Sequence, residues 1–188
     1  MGELNIADCA TTNAEGQALN SLITRYQDEY LMTIFGYEFY KEFEAGLQAG
    51  TQIYEDIRDG KEYTDQAGIL QKWEGFENSK LKSPIANYCY WWWQKLNVTK
   101  STANGEVAAI SENAAREAPA DKMVNAWNDM VRMNINLHEF LLANESDYPN
   151  YIGFTYAPNY VGRYTMNSNL TLLGENQKLF KLINSFGI

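Results

Sequence analysis

The chain has 188 residues and a formal net charge of −9, with 45% apolar, 21% charged and 14% aromatic residues. That size and balance fit one domain with its own hydrophobic core and exclude a wholly disordered polymer. No apolar run approaches the roughly 20 residues that cross a bilayer, and the first residues lack the basic and apolar regions of a secretory leader, so the chain is expected to act without membrane or export.

Residues 1–16 carry no periodicity and are expected to form an N-terminal arm. From Gln17, the apolar residues Leu19, Leu22, Ile23, Tyr26, Tyr30 and Leu31 recur at steps of three and four, which predicts an amphipathic helix. Gly36 interrupts it, and Tyr37, Phe39, Tyr40, Phe43 and Leu47 predict a second helix closed by Gly46 and Gly50. Thr51 is placed to cap a short third helix whose Ile53, Tyr54 and Ile57 share a face, before Asp59-Gly60 stops it. The period then changes, and residues 61–75 read as a β-hairpin turning at Asp65-Gln66-Ala67-Gly68.

Ser83-Pro84 starts the next helix, with serine as cap and proline in the first helical position. It carries Ile85, Tyr88, Cys89, Trp92 and Leu96 on one face. Trp91, Trp92 and Trp93 point about 100° apart, so a one-sided core cannot hide all three. Residues 99–118 are small and polar and are expected to form a long loop. Pro119 opens the longest helix, to about Asn144, with Met123, Trp127, Met130, Asn134, Leu137 and Leu141 as its packing seam. Residues 147–188, rich in tyrosine and poor in charge, are expected to form an extended C-terminal arm ending in a short helix near Asn176–Phe186. The fold class is therefore mainly α: a helical bundle over residues 17–146 with a small β-hairpin and an aromatic-rich arm.

The charge is concentrated. Residues 28–77 hold 12 acids against 4 bases, a local charge of −8, while the stretch from Tyr148 onward holds one acid against three bases. An acidic body repels a phosphate backbone, which argues against tight or sequence-reading nucleic-acid binding. Aromatic residues number 26, more than one core of this size is expected to absorb, and tyrosine and tryptophan are favoured where proteins meet. Tyr63, Trp73, Trp91, Trp93, Tyr151, Phe154, Tyr156 and Tyr160 are accordingly the candidate contacts between copies.

Chemistry-bearing constellations are weak. The two cysteines, Cys9 and Cys89, stand apart from any metal-binding motif, and the single histidine, His138, sits in a helix beside Glu139. Glu38 and Glu42 lie on one helix face, where carboxylates repel along a surface rather than oppose each other across a cleft. Asp56-Ile57-Arg58-Asp59-Gly60 lacks the ligand spacing of a calcium loop. No catalytic, cofactor-binding or metal-ligating residue is assigned, and no enzyme activity or cofactor is expected.

Several stretches carry a resemblance to a known family: Tyr26-Gln27-Asp28-Glu29-Tyr30-Leu31 through Phe35-Gly36-Tyr37-Glu38-Phe39-Tyr40, the hairpin ending Lys72-Trp73-Glu74-Gly75, Gly105-Glu106-Val107, Ala126-Trp127-Asn128-Asp129-Met130, and Ile183-Asn184-Ser185-Phe186-Gly187-Ile188. In their order the chain resembles the head-to-tail connector (adaptor, or neck-ring) proteins of tailed bacteriophages, in particular those of Bacteroides-type hosts and the crAss-like group. The resemblance implies a virion protein forming a ring, usually of about twelve copies, between the portal protein and adjacent neck or tail proteins, with double-stranded DNA passing through and no tight grip on it. Three other readings stay open at this point: a tail-completion or tail-terminator protein, a carbohydrate-binding or glycan-processing protein stacking sugars on Trp91–Trp93, and a cytoplasmic adaptor.

Overall fold

A computed structural model describes residues 14–65, 67–77, 82–97, 99–102, 105–108, 119–151 and Phe180. The described chain is mostly helical: α1 (Ala14–Phe35), α2 (Tyr37–Gln48), α3 (Gln52–Asp59), β1 (Lys61–Thr64), β2 (Leu70–Trp73), α4 (Pro84–Asn97), β3 (Thr99–Thr102), β4 (Gly105–Ala108) and α5 (Pro119–Ala143). The first helix begins at Ala14, three residues before the apolar periodicity sets in at Gln17.

The core lies where α1, α4 and α5 meet, and α2, α3 and the first hairpin close it. The seam predicted along α5 is buried from Trp127 onward, with Met130, Leu137 and Leu141 wholly inaccessible and Phe140 beside them. Each such side chain contributes about 1.5–3 kcal/mol by leaving water. Asn134, the polar member of that seam, is also buried, and its Oδ1 accepts a hydrogen bond from the Tyr30 hydroxyl on α1. That bond spans the two longest helices at the centre of the core.

Gly36 joins α1 to α2 with φ +74°, a left-handed conformation that glycine adopts without strain. Gly46 does not close α2 as the sequence suggested. It sits inside the helix, because the Tyr54 ring of α3 occupies the space where a side chain would stand. Thr51 precedes α3 without a capping side-chain bond; its carbonyl oxygen instead accepts from the Tyr54 and Glu55 amides at 3.0 and 3.2 Å. Ser83 does cap α4, its Oγ accepting from the Ala86 amide at 3.4 Å.

The hairpin of β1 and β2 is antiparallel, in the register Lys61↔Trp73 through Thr64↔Leu70. Asp65 organises its turn, with Oδ1 accepting from the amides of Ile69 (2.8 Å) and Ala67 (2.9 Å) and Oδ2 from Gln71 Nε2 (3.1 Å); the Ile69 bond first, then the Gln71 bond, hold its carboxyl below the usual range. Tyr63 and Trp73 face inward, Tyr63 against Phe140 of α5 at 5.4 Å between ring centres. The Trp73 Nε1 donates to the Ile57 carbonyl at 2.8 Å, clamping the hairpin to α3. The backbones cross tightly here: a Cβ on Gly60 (φ +91°) would lie 2.5 Å from the Trp73 carbonyl oxygen, and one on Gly75 (φ +84°) 2.6 Å from the Arg58 carbonyl oxygen.

A second hairpin occupies part of the stretch expected to be loop. β3 and β4 pair antiparallel, with Thr102 opposite Gly105 and two residues between them. The two strands lack the apolar alternation that marks a half-buried strand in sequence.

One core absorbs most of the aromatic rings among the described residues, and five further aromatic residues lie outside them. Of the 21 aromatic residues among those described, all but Tyr37, Trp91, Trp92 and Trp93 are buried. They fit because the rings pack against one another at edge-to-face or tilted angles, Phe35 edge to face with Phe39 and tilted on Phe43, both at 5.2 Å, and Phe39 tilted on Tyr151 at 5.3 Å. The body also extends past residue 147, where the sequence placed the start of the arm. Tyr148 is buried against Phe39, Tyr54 and Phe140, and its hydroxyl donates to the Ile53 carbonyl at 2.8 Å.

Candidate functional site

The half-buried tryptophans of α4 stand at one end of an aromatic ladder built by three helices. Trp92 stacks on Tyr26 of α1, 4.8 Å apart with planes 15° from parallel. Trp91 meets Trp92 edge to face at 5.0 Å and leans on Trp127 of α5 at 4.8 Å. Tyr88 contacts Trp92, Trp127, Tyr26 and Tyr30, each 5.4–6.3 Å between ring centres. Lys95, one turn beyond, lies over Trp91 and Trp92 at 4.6 and 4.9 Å, a cation–π arrangement that leaves the ammonium at the surface. With Trp92 covered by Tyr26 on one side and both rings touched by Lys95, Trp91 and Trp92 do not offer the open flat faces that stacked sugars need.

Phe180 completes the ladder. It lies buried between Tyr30 (5.8 Å), Tyr88 (5.8 Å) and Trp127 (6.0 Å), one ring from each of α1, α4 and α5. Nothing in the sequence singled out Phe180; it was one apolar residue among several near the end of the arm.

The candidate contact residues divide three ways. Trp91 and Trp93 are half-buried on α4 and present part of their rings outward. Tyr63, Trp73 and Tyr151 are core residues of the single chain, Trp73 only 1% exposed, so the body itself takes up the area assigned to a partner. Phe154, Tyr156 and Tyr160 lie outside the described residues. Among the described residues, the large apolar side chains that face solvent are Ile69 (57%) and Leu70 (69%) at the hairpin tip, Met32 and Tyr37 (65%) at the α1–α2 corner, and Leu96 near the end of α4. Sequence reading missed these because periodicity assigned Tyr37 and Leu96 to buried faces and treated Ile69 and Leu70 as ordinary strand residues.

The acidic stretch is wired inward by tyrosine hydroxyls. Tyr40 donates to Glu44 at 2.6 Å, Tyr88 to Glu29 at 3.0 Å, and Tyr54 to Glu42, whose other oxygen accepts from Asn150 Nδ2 at 2.9 Å. Burial, then the adjacent carboxylates, push the Tyr54 phenol up to about 12 and those of Tyr40 and Tyr88 well above the usual value. Glu42 thus ties α2 to α3 and to the chain just after α5 as a shared acceptor. All four bases of residues 28–77 pair within the same stretch: Lys41 with Glu44, Arg58 with Glu55 and Asp59, Lys61 with Asp56, and Lys72 with Glu74 at 3.9 Å. Their charges are spent locally and the surplus acid remains.

Burial raises the Cys89 thiol to about 12, well away from thiolate chemistry at neutral pH. His138 faces Tyr151, Nδ1 to hydroxyl 3.1 Å, and burial lowers its imidazole to about 4. A cleft of about 320 Å³ opens between α1 and α4, bounded by Leu19, Ile23, Phe76 and Ile85 with Gln27 and Glu77 at its polar edge. No group of three metal-capable side chains occurs among the described residues, and none of their helices is long and apolar enough to cross a membrane. Compared with known protein families, curated proteins and solved structures, the chain matches none.

Proposed function

We propose that this chain is a structural ring component of a tailed-phage neck, joining the portal to the tail without catalysis. The observation that carries the reading is the distribution of exposed apolar side chains. One group, Ile69 and Leu70, projects at the tip of the first hairpin, and another, the exposed Leu96 with the half-buried Trp93 about 60° round the helix from it, lies along α4. A closed ring is built from heterologous contacts, in which each copy offers two different patches that mate with each other. Two apolar patches on different elements supply that requirement, and tryptophan is the residue type that anchors such contacts. The acidic stretch, its bases already paired, suits the wall of a channel through which DNA must slide, because like charge repels the phosphates. In this reading the C-terminal stretch, which apart from Phe180 lies outside the described residues, reaches neighbouring copies or the adjoining ring, and the resemblance described above supplies the portal and tail proteins as partners.

The test is mass photometry of the purified chain, alone and with portal rings, over a hundredfold range of concentration. Discrete closed oligomers, or stoichiometric decoration of portal rings, are expected. A chain that stays monomeric throughout and ignores the portal refutes the reading. The double variant Ile69→Ser with Leu70→Ser, which touches only exposed positions, is expected to weaken assembly at least tenfold while leaving the fold unchanged.

A further inference from the structure

We infer that neighbouring copies join knob into hole: the hairpin tip of one copy, Ile69 and Leu70, enters the α1–α4 cleft of the next. The inference rests on the ring reading above and names the contact that builds the ring. The knob is held out by its own chain. Ile69 and Leu70 are 57% and 69% exposed. They stay in solvent because the Trp73–Ile57 bond and the Tyr63 ring against Phe140 fix the hairpin on α3 and α5, whereas the cleft lies between α1 and α4.

The hole has matching size and lining. Leu19, Ile23 and Gln27 recur at intervals of four on one side of α1, Ile85 lines the α4 wall, and Phe76 and Glu77 border the opening. An engineered cavity of about 150 Å³, the space one leucine side chain leaves, takes up a benzene molecule, so a cleft of about 320 Å³ has room for two aliphatic side chains. The cleft also continues the outward face of α4. Ile85 and Leu96 are three turns apart and only about 20° out of line, so the hole and the exposed Leu96 share one side of the helix. A hairpin docked there covers both.

Charge completes the match. Side chains alternate across a strand, so Lys72 shares a face with Leu70, about 7 Å further along β2. Lys72 is 53% exposed and meets Glu74 of its own chain only at 3.9 Å, while the exposed Glu77 stands at the polar edge of the cleft. With Leu70 seated, the Lys72 ammonium reaches the Glu77 carboxylate of the neighbouring copy. That pairing sets the register of the joint and eases the approach of two bodies that otherwise repel at −9 each.

The experiment divides the contact between two full-length variants, Leu70→Asp to spoil the knob and Ala86→Trp to fill the hole; Ala86 lines the cleft from an exposed position. Sedimentation velocity, over the concentrations at which the unaltered chain self-associates, is expected to show each variant alone as a monomer. Their mixture is expected to give a one-to-one heterodimer, because a single intact knob then meets a single intact hole. Lys72→Glu and Glu77→Lys are each expected to weaken self-association at least tenfold, and the double charge exchange to restore it, a rescue that loss of folding cannot mimic. Assemblies that persist in both single variants, a mixture that stays monomeric while circular dichroism shows both variants folded, or a charge exchange without rescue overturn this contact and leave the ring standing. An unaltered chain that stays monomeric at every concentration overturns the ring, and this contact with it.

Discussion

Replacing Gly46 with alanine sets helix propensity against packing. Alanine is favoured over glycine in a helix interior by about 1 kcal/mol, so on propensity alone the variant is more stable. The structure predicts the opposite. A Cβ at this position lies 2.5 Å from Tyr54 Cγ and closer still to two other ring carbons, so either the ring or α3 must move. Tyr54 packs against Phe39, Phe43 and Tyr148 and donates to Glu42, and displacement disturbs all of these together. Overpacking of this kind costs about 1–3 kcal/mol, and loosening the bond to the carboxylate adds about 1 kcal/mol. Set against the propensity gain, Gly46→Ala is expected to destabilise by about 1–3 kcal/mol. With a denaturation slope of about 2 kcal/mol/M, the urea midpoint falls by about 0.5–1.5 M, read by far-ultraviolet circular dichroism. In a Tyr54→Ala background the same change is expected to become neutral or stabilising, a reversal of sign that a double-mutant cycle measures directly. A raised midpoint in the single variant refutes the packing argument.

Tyr30→Phe is expected to cost about 1–3 kcal/mol, because it strands the buried Asn134 amide; Tyr30→Phe combined with Asn134→Leu should recover most of that loss in the same urea titration. His138 makes the fold acid-sensitive. Its folded value of about 4 lies below the unfolded value of about 6.5, so as pH falls through that window the unfolded chain takes up a proton that the folded chain refuses. The residue is silent above pH 6.5 and withdraws about 2–3 kcal/mol by pH 4.5. The drop in stability between pH 7 and 4.5 should shrink by that amount in His138→Gln, and an unchanged drop refutes the assignment.

The helices were legible in the sequence because their cores repeat at 3.6 residues. The α5 seam from Trp127 to Leu141 and the Ser83-Pro84 start of α4 are both found in the structure, as is the first hairpin. What sequence misjudged follows from tertiary packing. Gly46 looks like a helix terminator until Tyr54 is seen lying against it, and Tyr63, Trp73 and Tyr151 look like surplus rings until α5 and α2 are placed over them. The second hairpin has no apolar stripe to betray it, and the socket of Phe180 is formed by residues from three helices far apart in the chain. Periodicity reports which face of an element is greasy, but not how many greasy faces the remainder of the fold will cover.

The clamp between Trp73 and Ile57, with the glycines at positions 60 and 75 pressed against neighbouring backbone, makes the first hairpin a stiff prong rather than a whip. A partner that grips Ile69 and Leu70 at its tip would pull on α3 directly, with little slack to take up first. Mechanical load arriving there would pass into the core of the body, so the strength of any joint made at that tip is set by the crossing at its root.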